Sequence, residues 1–393
     1  MTQRPLALGV IGLGMAGAVM VRAAARHPGV VLTAAADPHA APREAFGRDF
    51  NARTYADARA LCEDSAVEVV YIATPHQFHA EHAVAAAEGG KHVILEKPMA
   101  LTLADCDRII AAAEHAKVHL IVGHTHAFDP AVREMRRIIA SGEMGALGMI
   151  ASWNYTNYLY RPRRPEELDT AKGGGILFNQ VPHQIDTVRL LGGGLVRSVR
   201  AQVGVLDPAR PTEANCTAFL EFANGVAASL VYSGYDFFDS DELHFWVSER
   251  GSMKQPAHGA SRRALRTHQG PEAGLRTSSV GYGAPDQGEP PHQPHFGVTI
   301  ATCARGDLRA SADGVFVYAE EGKREIALPD GGRYSGRLNV LDDMRAAIAT
   351  GRPPVHDGRW GKATLEVALA IQQSARERRE IILVHQVGIS VLV

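Results

Sequence analysis

Lys97 follows a short apolar run, His92–Leu95, in the string Glu96-Lys97-Pro98. An amine at the end of a buried strand can accept a hydroxyl proton if its pKa falls below the ordinary value of about 10.4. Burial or a neighbouring positive charge, such as a nicotinamide ring, would lower it. Asn179, His183 and Asp186 are spaced i, i+4 and i+7, which is one face of a helix. An imidazole there titrates in the range suited to proton transfer near neutrality, and Asp186 is a candidate to orient it. The third signal is Gly12-Leu13-Gly14-Met15-Ala16-Gly17, directly behind the apolar run Leu6–Ile11. In such a turn Gly12 permits the reversal, Gly14 lets backbone approach a pyrophosphate, and Gly17 allows helix to pack on strand. The helix start adds N–H groups and a partial positive charge. Asp37 closes the next apolar run, 20 residues after Gly17. A carboxylate there can hold ribose hydroxyls and repels a 2′-phosphate, which favours NAD over NADP; capping the turn at Pro38 is the alternative. The combination points to nicotinamide-dependent oxidoreduction.

The elements that must position these groups follow from the patterning. Apolar runs at Leu6–Ile11, Val30–Ala36, Val67–Ala73, His92–Leu95 and Leu120–Val122 alternate with helical stretches at Ala16–Arg26, Gln77–Glu88 and Leu103–His115. Continuous apolar strands separated by helices predict a parallel sheet covered on both faces. From about Leu147 the pattern alternates, in Leu147–Tyr158, Thr217–Phe222, Val226–Tyr232 and Leu243–Val247, which predicts antiparallel strands with one face buried. One helix is expected over Gly175–Leu191, two more over Leu338–Ala349 and Lys362–Arg378, and a last strand over Glu380–Val384. Residues 255–295, rich in Pro, Gly, His and Gln, read as a long loop or lid.

The chain has 393 residues, enough for two domains. Its net charge of −2 gives no electrostatic case for nucleic acid or an anionic membrane. Cys62, Cys106, Cys216 and Cys303 lie far apart with no CxxC spacing, so reduced thiols in the cytoplasm are expected. No apolar stretch is long enough to span a bilayer, and Met1–Pro5 leads straight into a predicted strand. His124, His126, His292 and His295 lack a ligand motif with acidic or cysteine partners, so no metal is expected.

Together these pieces resemble the glucose–fructose oxidoreductase / inositol dehydrogenase (Gfo/Idh/MocA) family. The resemblance rests on the glycine turn, Thr74-Pro75 with His79, Gly90–Pro98, Gly173-Gly174-Gly175 leading to His183 and Asp186, Gly351-Arg352-Pro353-Pro354, and Ser374-Ala375-Arg376. It implies an α/β fold: an N-terminal Rossmann doubly wound parallel sheet (1–124) and a C-terminal α/β domain (125–393) with a large, mostly antiparallel sheet. That second domain would bind substrate and form a homodimer or homotetramer. NAD is the implied cofactor, held by Gly12, Gly14, Met15, Ala16, Asp37, Thr74, Pro75, His79, Glu96 and Lys97. Lys97 and His183 are the implied catalytic pair. His76 and His79 read first as helix caps or packing groups, with His79 able to lie against the cofactor.

Within the family, Tyr158–Asp169 and Pro294-His295-Phe296-Gly297 resemble phthalate 4,5-cis-dihydrodiol dehydrogenases. This implies oxidation of a cis-dihydrodiol of phthalate to 4,5-dihydroxyphthalate. Many family members have aspartate at Asn179 and glycine at Val181. Asparagine cannot take a proton, which leaves the proton work to Lys97 and His183 and removes repulsion against an anionic substrate. Arg161, Arg163 and Arg164 can grip a dicarboxylate through paired hydrogen bonds, with His126, Asn179 and Tyr158 lining the pocket. An exposed loop paired with Glu166 and Glu167 is the other reading of the arginines. A sugar or inositol dehydrogenase and a non-catalytic NAD-binding regulator remain alternatives.

Overall fold

The computed structural model describes residues 4–270, 272, 275, 281–283, 288, 290–328 and 334–389. The chain divides into two compact units. The first is built on residues 1–124, joined by 337–362 and by described residues of 275–287; the second comprises the described residues of 125–274, 288–336 and 363–393.

In the first unit, β1 (Leu6–Ile11), β2 (Val30–Ala36), β3 (Arg53–Tyr55), β4 (Val69–Ile72), β5 (His92–Leu95) and β6 (Leu120–Val122) form one parallel sheet, ordered β3-β2-β1-β4-β5-β6. The intervening helices are α1 (Met15–Arg26), α2 (Ala40–Phe50), α3 (Ala58–Cys62), α4 (His79–Glu88) and α5 (Leu103–Ala116). All residues of β1 and β4 are buried, as expected for strands covered on both faces. The strand order reverses between β1 and β4, the switch point at which open α/β sheets bind ligands. The parallel register sets Ile11 beside Ile72 and Ile72 beside Leu95, so Gly12, Ala73 and Glu96 leave the sheet at one edge. The patterning did not indicate α2, whose sequence contains Pro42 and Gly47, or the short edge strand β3.

The second unit has a nine-stranded sheet, ordered β14-β13-β12-β11-β7-β10-β9-β8-β15. Its strands are β7 (Leu147–Tyr155), β8 (Val196–Gly204), β9 (Asn215–Phe222), β10 (Ala227–Ser233), β11 (Val298–Cys303), β12 (Gly306–Ala310), β13 (Gly314–Ala319), β14 (Gly322–Ala327) and β15 (Ile381–Ile382). Every neighbouring pair is antiparallel except β7 with β10. Helices α6 (Pro130–Ser141), α7 (Gly175–Asn179), α8 (Val181–Gly192) and α9 (Ala260–Thr267) complete the described part of this unit, with α10 (Ser335–Thr350) and α11 (Gly358–Glu377) near the chain's end. All of α8 is buried, and Gln184 crosses to the sheet, donating to Ser152 O at 3.1 Å and Val231 O at 3.2 Å.

Three expectations are corrected. The helix expected over Gly175–Leu191 is two helices, interrupted at Gln180 (φ −120°, ψ −53°). Pro182 supplies no N–H and crowds the carbonyl one turn earlier, so a continuous helix is disfavoured. Leu243–Val247 is not a strand: Ser240–His244 forms a 3₁₀ turn capped by Asp239, and Phe245 and Trp246 both have φ 59°. A strand cannot pass through two left-handed residues. The stretch 255–295 contains α9 and is not wholly loop; the remainder of that expectation falls partly outside the described residues.

Candidate functional site

The glycine turn of the first unit has the shape its sequence demands. Gly12 has φ 93°, and a Cβ there would lie 2.7 Å from Ala73 O. A Cβ at Gly17 would lie 1.8 Å from Gly12 O, so α1 can pack this closely only through glycine. A Cβ at Gly14 would meet nothing within 4 Å. Gly14 and Met15 are exposed, Ala16 is half-buried, and α1 begins without a side-chain cap. An open turn in front of an uncapped helix start fits a pyrophosphate.

Asp37 is buried and organises this turn. Its Oδ2 accepts the Leu13 N–H at 2.8 Å, and its Oδ1 accepts the His39 N–H at 2.9 Å. It therefore caps the turn, as the alternative reading had it, and a carboxylate retains further lone pairs for a ribose hydroxyl. Thr74 and Pro75 are half-buried beside it along the sheet edge, with Thr74 Oγ1 3.1 Å from His82 Nδ1. His79 takes the packing role read first for it. It has no exposed surface, and its ring nitrogens lie 2.8 Å from Pro98 O and 2.9 Å from Thr74 O, of which a neutral ring donates to one at a time. Burial lowers its pKa, so the ring is neutral near pH 7.

Lys97 is half-buried directly after β5, and the Lys97–Pro98 peptide is cis. Glu96 is held by the Tyr71 hydroxyl at 2.5 Å and accepts the Lys97 N–H at 3.3 Å. The carboxylate beside the lysine is thus fixed by a fully buried phenol.

A second cluster is built within the other unit. His126, at the start of a 3₁₀ turn after β6, has Nδ1 2.5 Å from Asp129 Oδ2 and Nε2 3.6 Å from Glu249 Oε1. Glu249 Oε2 is in turn 3.6 Å from Arg161 Nη2, and Arg161 Nε donates to Asn157 Oδ1 at 2.8 Å. The Phe296 ring stacks on His126 with centroids 4.9 Å apart, and His183 meets both rings at 4.9 Å. Burial opposes charge on His126, but Asp129 and then Glu249 outweigh it, and its pKa is pushed up to about 9. Burial likewise opposes charge on Glu249, but His126 and Arg161 hold its pKa well below the usual carboxylate range. The cluster therefore contains an imidazolium and a guanidinium near neutral pH.

The folded pKa of His126 lies above the ordinary 6.5. The stability gained from its charge is complete below about pH 6.5 and is lost as pH rises through about 9. Urea unfolding across that window should show a decline of up to about 3 kcal/mol in the parent protein. His126→Gln should lack this step, and matching pH profiles would refute the assignment. Asp129, Glu249 and His183 are titratable groups that face this ring.

The other expected substrate residues scatter. Arg163 lies over the Tyr158 ring at 3.8 Å and donates to Tyr158 O at 2.6 Å, so guanidinium and tyrosine form a structural pair. Burial lowers the Arg163 pKa. Tyr158 is buried, with its hydroxyl donating to Gly175 O at 3.1 Å. Arg164 faces Glu166 at 3.1 Å and Glu167 at 3.6 Å on a partly exposed loop. The three-arginine clamp thus narrows to Arg161, because Arg163 is engaged by Tyr158 and Arg164 by Glu166 and Glu167. Asn179 donates to Gly173 O at 3.1 Å and Gly175 O at 2.8 Å, fastening the triple-glycine turn. Asp186 accepts from the hydroxyls of Thr125 and Thr364. Asp129 and Glu249 were not anticipated. The first was legible as a carboxylate three residues after His126, whereas Glu249 lies between the expected strand Leu243–Val247 and the expected loop 255–295, in a stretch with no pattern of its own. Among the described residues no group of three His, Cys, Asp or Glu side chains could hold a metal ion. Nor is any helix among them long and apolar enough to cross a membrane.

Residues 6–124 match the model of the GFO/IDH/MocA oxidoreductase family with an NAD-binding Rossmann fold, and residues 132–251 match the GFO/IDH/MocA C-terminal domain. The chain belongs to the Gfo/Idh/MocA family. It is therefore an oxidoreductase, and its cofactor is NAD. Among Gfo/Idh/MocA relatives, 1-carboxy-3-chloro-3,4-dihydroxycyclohexa-1,5-diene dehydrogenase of Comamonas testosteroni is 42% identical over 381 residues, 94% of each chain. Inositol 2-dehydrogenase 2 of Saccharopolyspora erythraea is 33% identical over 63% of this chain and 72% of that one. A solved structure from Bordetella bronchiseptica RB50 has a TM-score of 0.92 at 47% identity, covering 96% of this chain and 100% of that chain. The first unit's glycine turn, with Asp37, fits the NAD pyrophosphate and ribose, and bound NAD supplies a hydride acceptor.

Proposed function

We propose that this enzyme oxidises a cis-dihydrodiol that carries a carboxylate on its ring, with NAD⁺ taking the hydride. The sequence pattern alone points to the cis-4,5-dihydrodiol of phthalate; the class proposed is the wider one, a ring with at least one carboxylate. The observation that carries the reading is 42% identity, over 94% of both chains, to a dehydrogenase whose name specifies a carboxylated cyclohexadiene diol. The buried His126 and half-buried Arg161 cations beside the flat Phe296 ring support it, since they suit an anionic planar substrate. In this reading Lys97 accepts the hydroxyl proton as the carbinol hydrogen leaves as hydride, and His183 contacts the ring. The resulting ketone enolises to a catechol, and aromatisation makes the forward direction favourable.

The test supplies NAD⁺ with cis-dihydrodiols of aromatic carboxylates and with neutral polyols, and follows NADH formation. Carboxylated dihydrodiols are expected to be turned over and myo-inositol to be poor; turnover confined to polyols would remove the proposal. Met149, Trp153 and Phe219 are exposed, and strand register sets them on one face of the second sheet. We propose this apolar face as the homodimer or homotetramer contact. Light scattering should report an oligomer that Phe219→Glu dissociates, whereas a monomeric parent protein would rule it out.

A further inference from the structure

We propose that Arg161 and His126 are the pair that recognises a substrate carboxylate, that Glu249 holds their place until it is displaced, and that the pair accepts one carboxylate and not two. This deepens the dihydrodiol reading above and rests on it.

The two carboxylates of the cluster are held differently. Asp129 is 1% exposed and lies 2.5 Å from His126, a permanent partner. Glu249 lies 3.6 Å from each cation, beyond ordinary hydrogen-bond length. Its side chain is 34% exposed and that of Arg161 is 35% exposed, so solvent or a ligand reaches both. A carboxylate held by charge at 3.6 Å between two fixed cations is chemically a stand-in for another carboxylate. Arg161 is pre-aimed, because Asn157 fixes its Nε edge and directs Nη2 toward Glu249. Phe296, stacked on His126, supplies a flat apolar wall beside the charges, as a ring bearing a carboxylate requires.

Charge sets the number of carboxylates. Among the four groups in contact, His126 and Arg161 contribute two positive charges and Asp129 and Glu249 two negative ones, so this set is neutral at rest; Arg250 near Glu249, and Asp241 and Arg163 near Arg161, lie outside it. Departure of Glu249 leaves one net positive charge, which matches one carboxylate. Arg163 does not add to this count, because its guanidinium is spent on Tyr158 and its nearest acid is Glu167 at 3.9 Å. Arg164 is paired with Glu166. A second carboxylate would be buried without a partner, which is costly. The expectation of a dicarboxylate clamp is thereby narrowed.

The experiment compares kcat/KM for the cis-dihydrodiols of benzene, benzoate and phthalate, which carry none, one and two carboxylates, with the full-length enzyme and saturating NAD⁺. The benzoate diol should lead both others by about tenfold or more, as expected for one or two charge-assisted hydrogen bonds. Arg161→Gln should cut the preference for the benzoate diol over the benzene diol by about tenfold. Glu249→Gln removes the competing carboxylate and should lower KM for the benzoate diol several-fold. A merely structural Glu249 would raise that KM when substituted, and this result overturns the displacement. A lead for the benzene or the phthalate diol overturns the single-carboxylate match. If no dihydrodiol is turned over, the dihydrodiol reading falls, and benzoate binding by calorimetry decides this one. Binding weakened by Arg161→Gln and tightened by Glu249→Gln upholds it, and any other pattern overturns it. Circular dichroism of each variant verifies that it is folded.

Discussion

Replacing Lys97 by methionine is expected to lower kcat by about 10²–10⁴-fold, the usual contribution of a positioned proton acceptor. NAD binding, followed by titration of NADH fluorescence, should persist. Methionine keeps the unbranched apolar stem of a half-buried residue and removes only the amine. The surrounding chain should hold its course, because β5 is flanked by β4 and β6 and Glu96 is anchored on the Tyr71 hydroxyl. Lys97→Arg separates two roles for the same amine. Arginine supplies charge but cannot lose a proton in a protein, so it should also be inactive if residue 97 accepts the hydroxyl proton. Rescue by arginine would show that charge alone is required, and an active methionine variant would exclude the residue from the chemistry.

Gly17→Ala should be among the most damaging small substitutions in the first unit. The added Cβ would lie 1.8 Å from Gly12 O, a backbone atom that cannot rotate away. Gly12 cannot readily retreat, since its N–H donates to Ala36 O at 2.8 Å and its own space is bounded by Ala73 O. Helix α1 must therefore lift from β1, at a cost of about 2–4 kcal/mol in urea unfolding, with loss of NAD affinity. Gly14→Ala is the control. Its Cβ would enter open space, so stability should change by less than about 1 kcal/mol while NAD affinity falls, because that opening is where the pyrophosphate approaches. Equal stability of the two variants would contradict the packing role given to Gly17.

Much of the first unit could be read without coordinates. Parallel strands buried on both faces are continuous apolar runs, and Leu6–Ile11, Val30–Ala36, His92–Leu95 and Leu120–Val122 coincide with the strands observed. The glycine turn was equally legible, because its requirements are local: a positive φ, a close backbone contact and an open approach all fall within six consecutive residues. Edge strand β3 and helix α2 were not legible, since an exposed three-residue strand has no apolar run and Pro42 and Gly47 mask the helix.

The chemistry of the second unit was only partly written in the sequence. The chain by itself determined that His126, His183, Arg161 and Phe296 were present and worth attention. Tertiary structure alone decided that His126 stacks on Phe296 and meets His183 edge to face, and that Glu249 joins His126 to Arg161. It also turned Arg163 onto Tyr158 and Arg164 toward Glu166. The physical reason is range. A turn or a strand reports its needs through neighbouring residues, whereas an ion pair between residues 126 and 249 depends on where two distant loops meet. No spacing rule records that distance, and the charge on His126 follows from it.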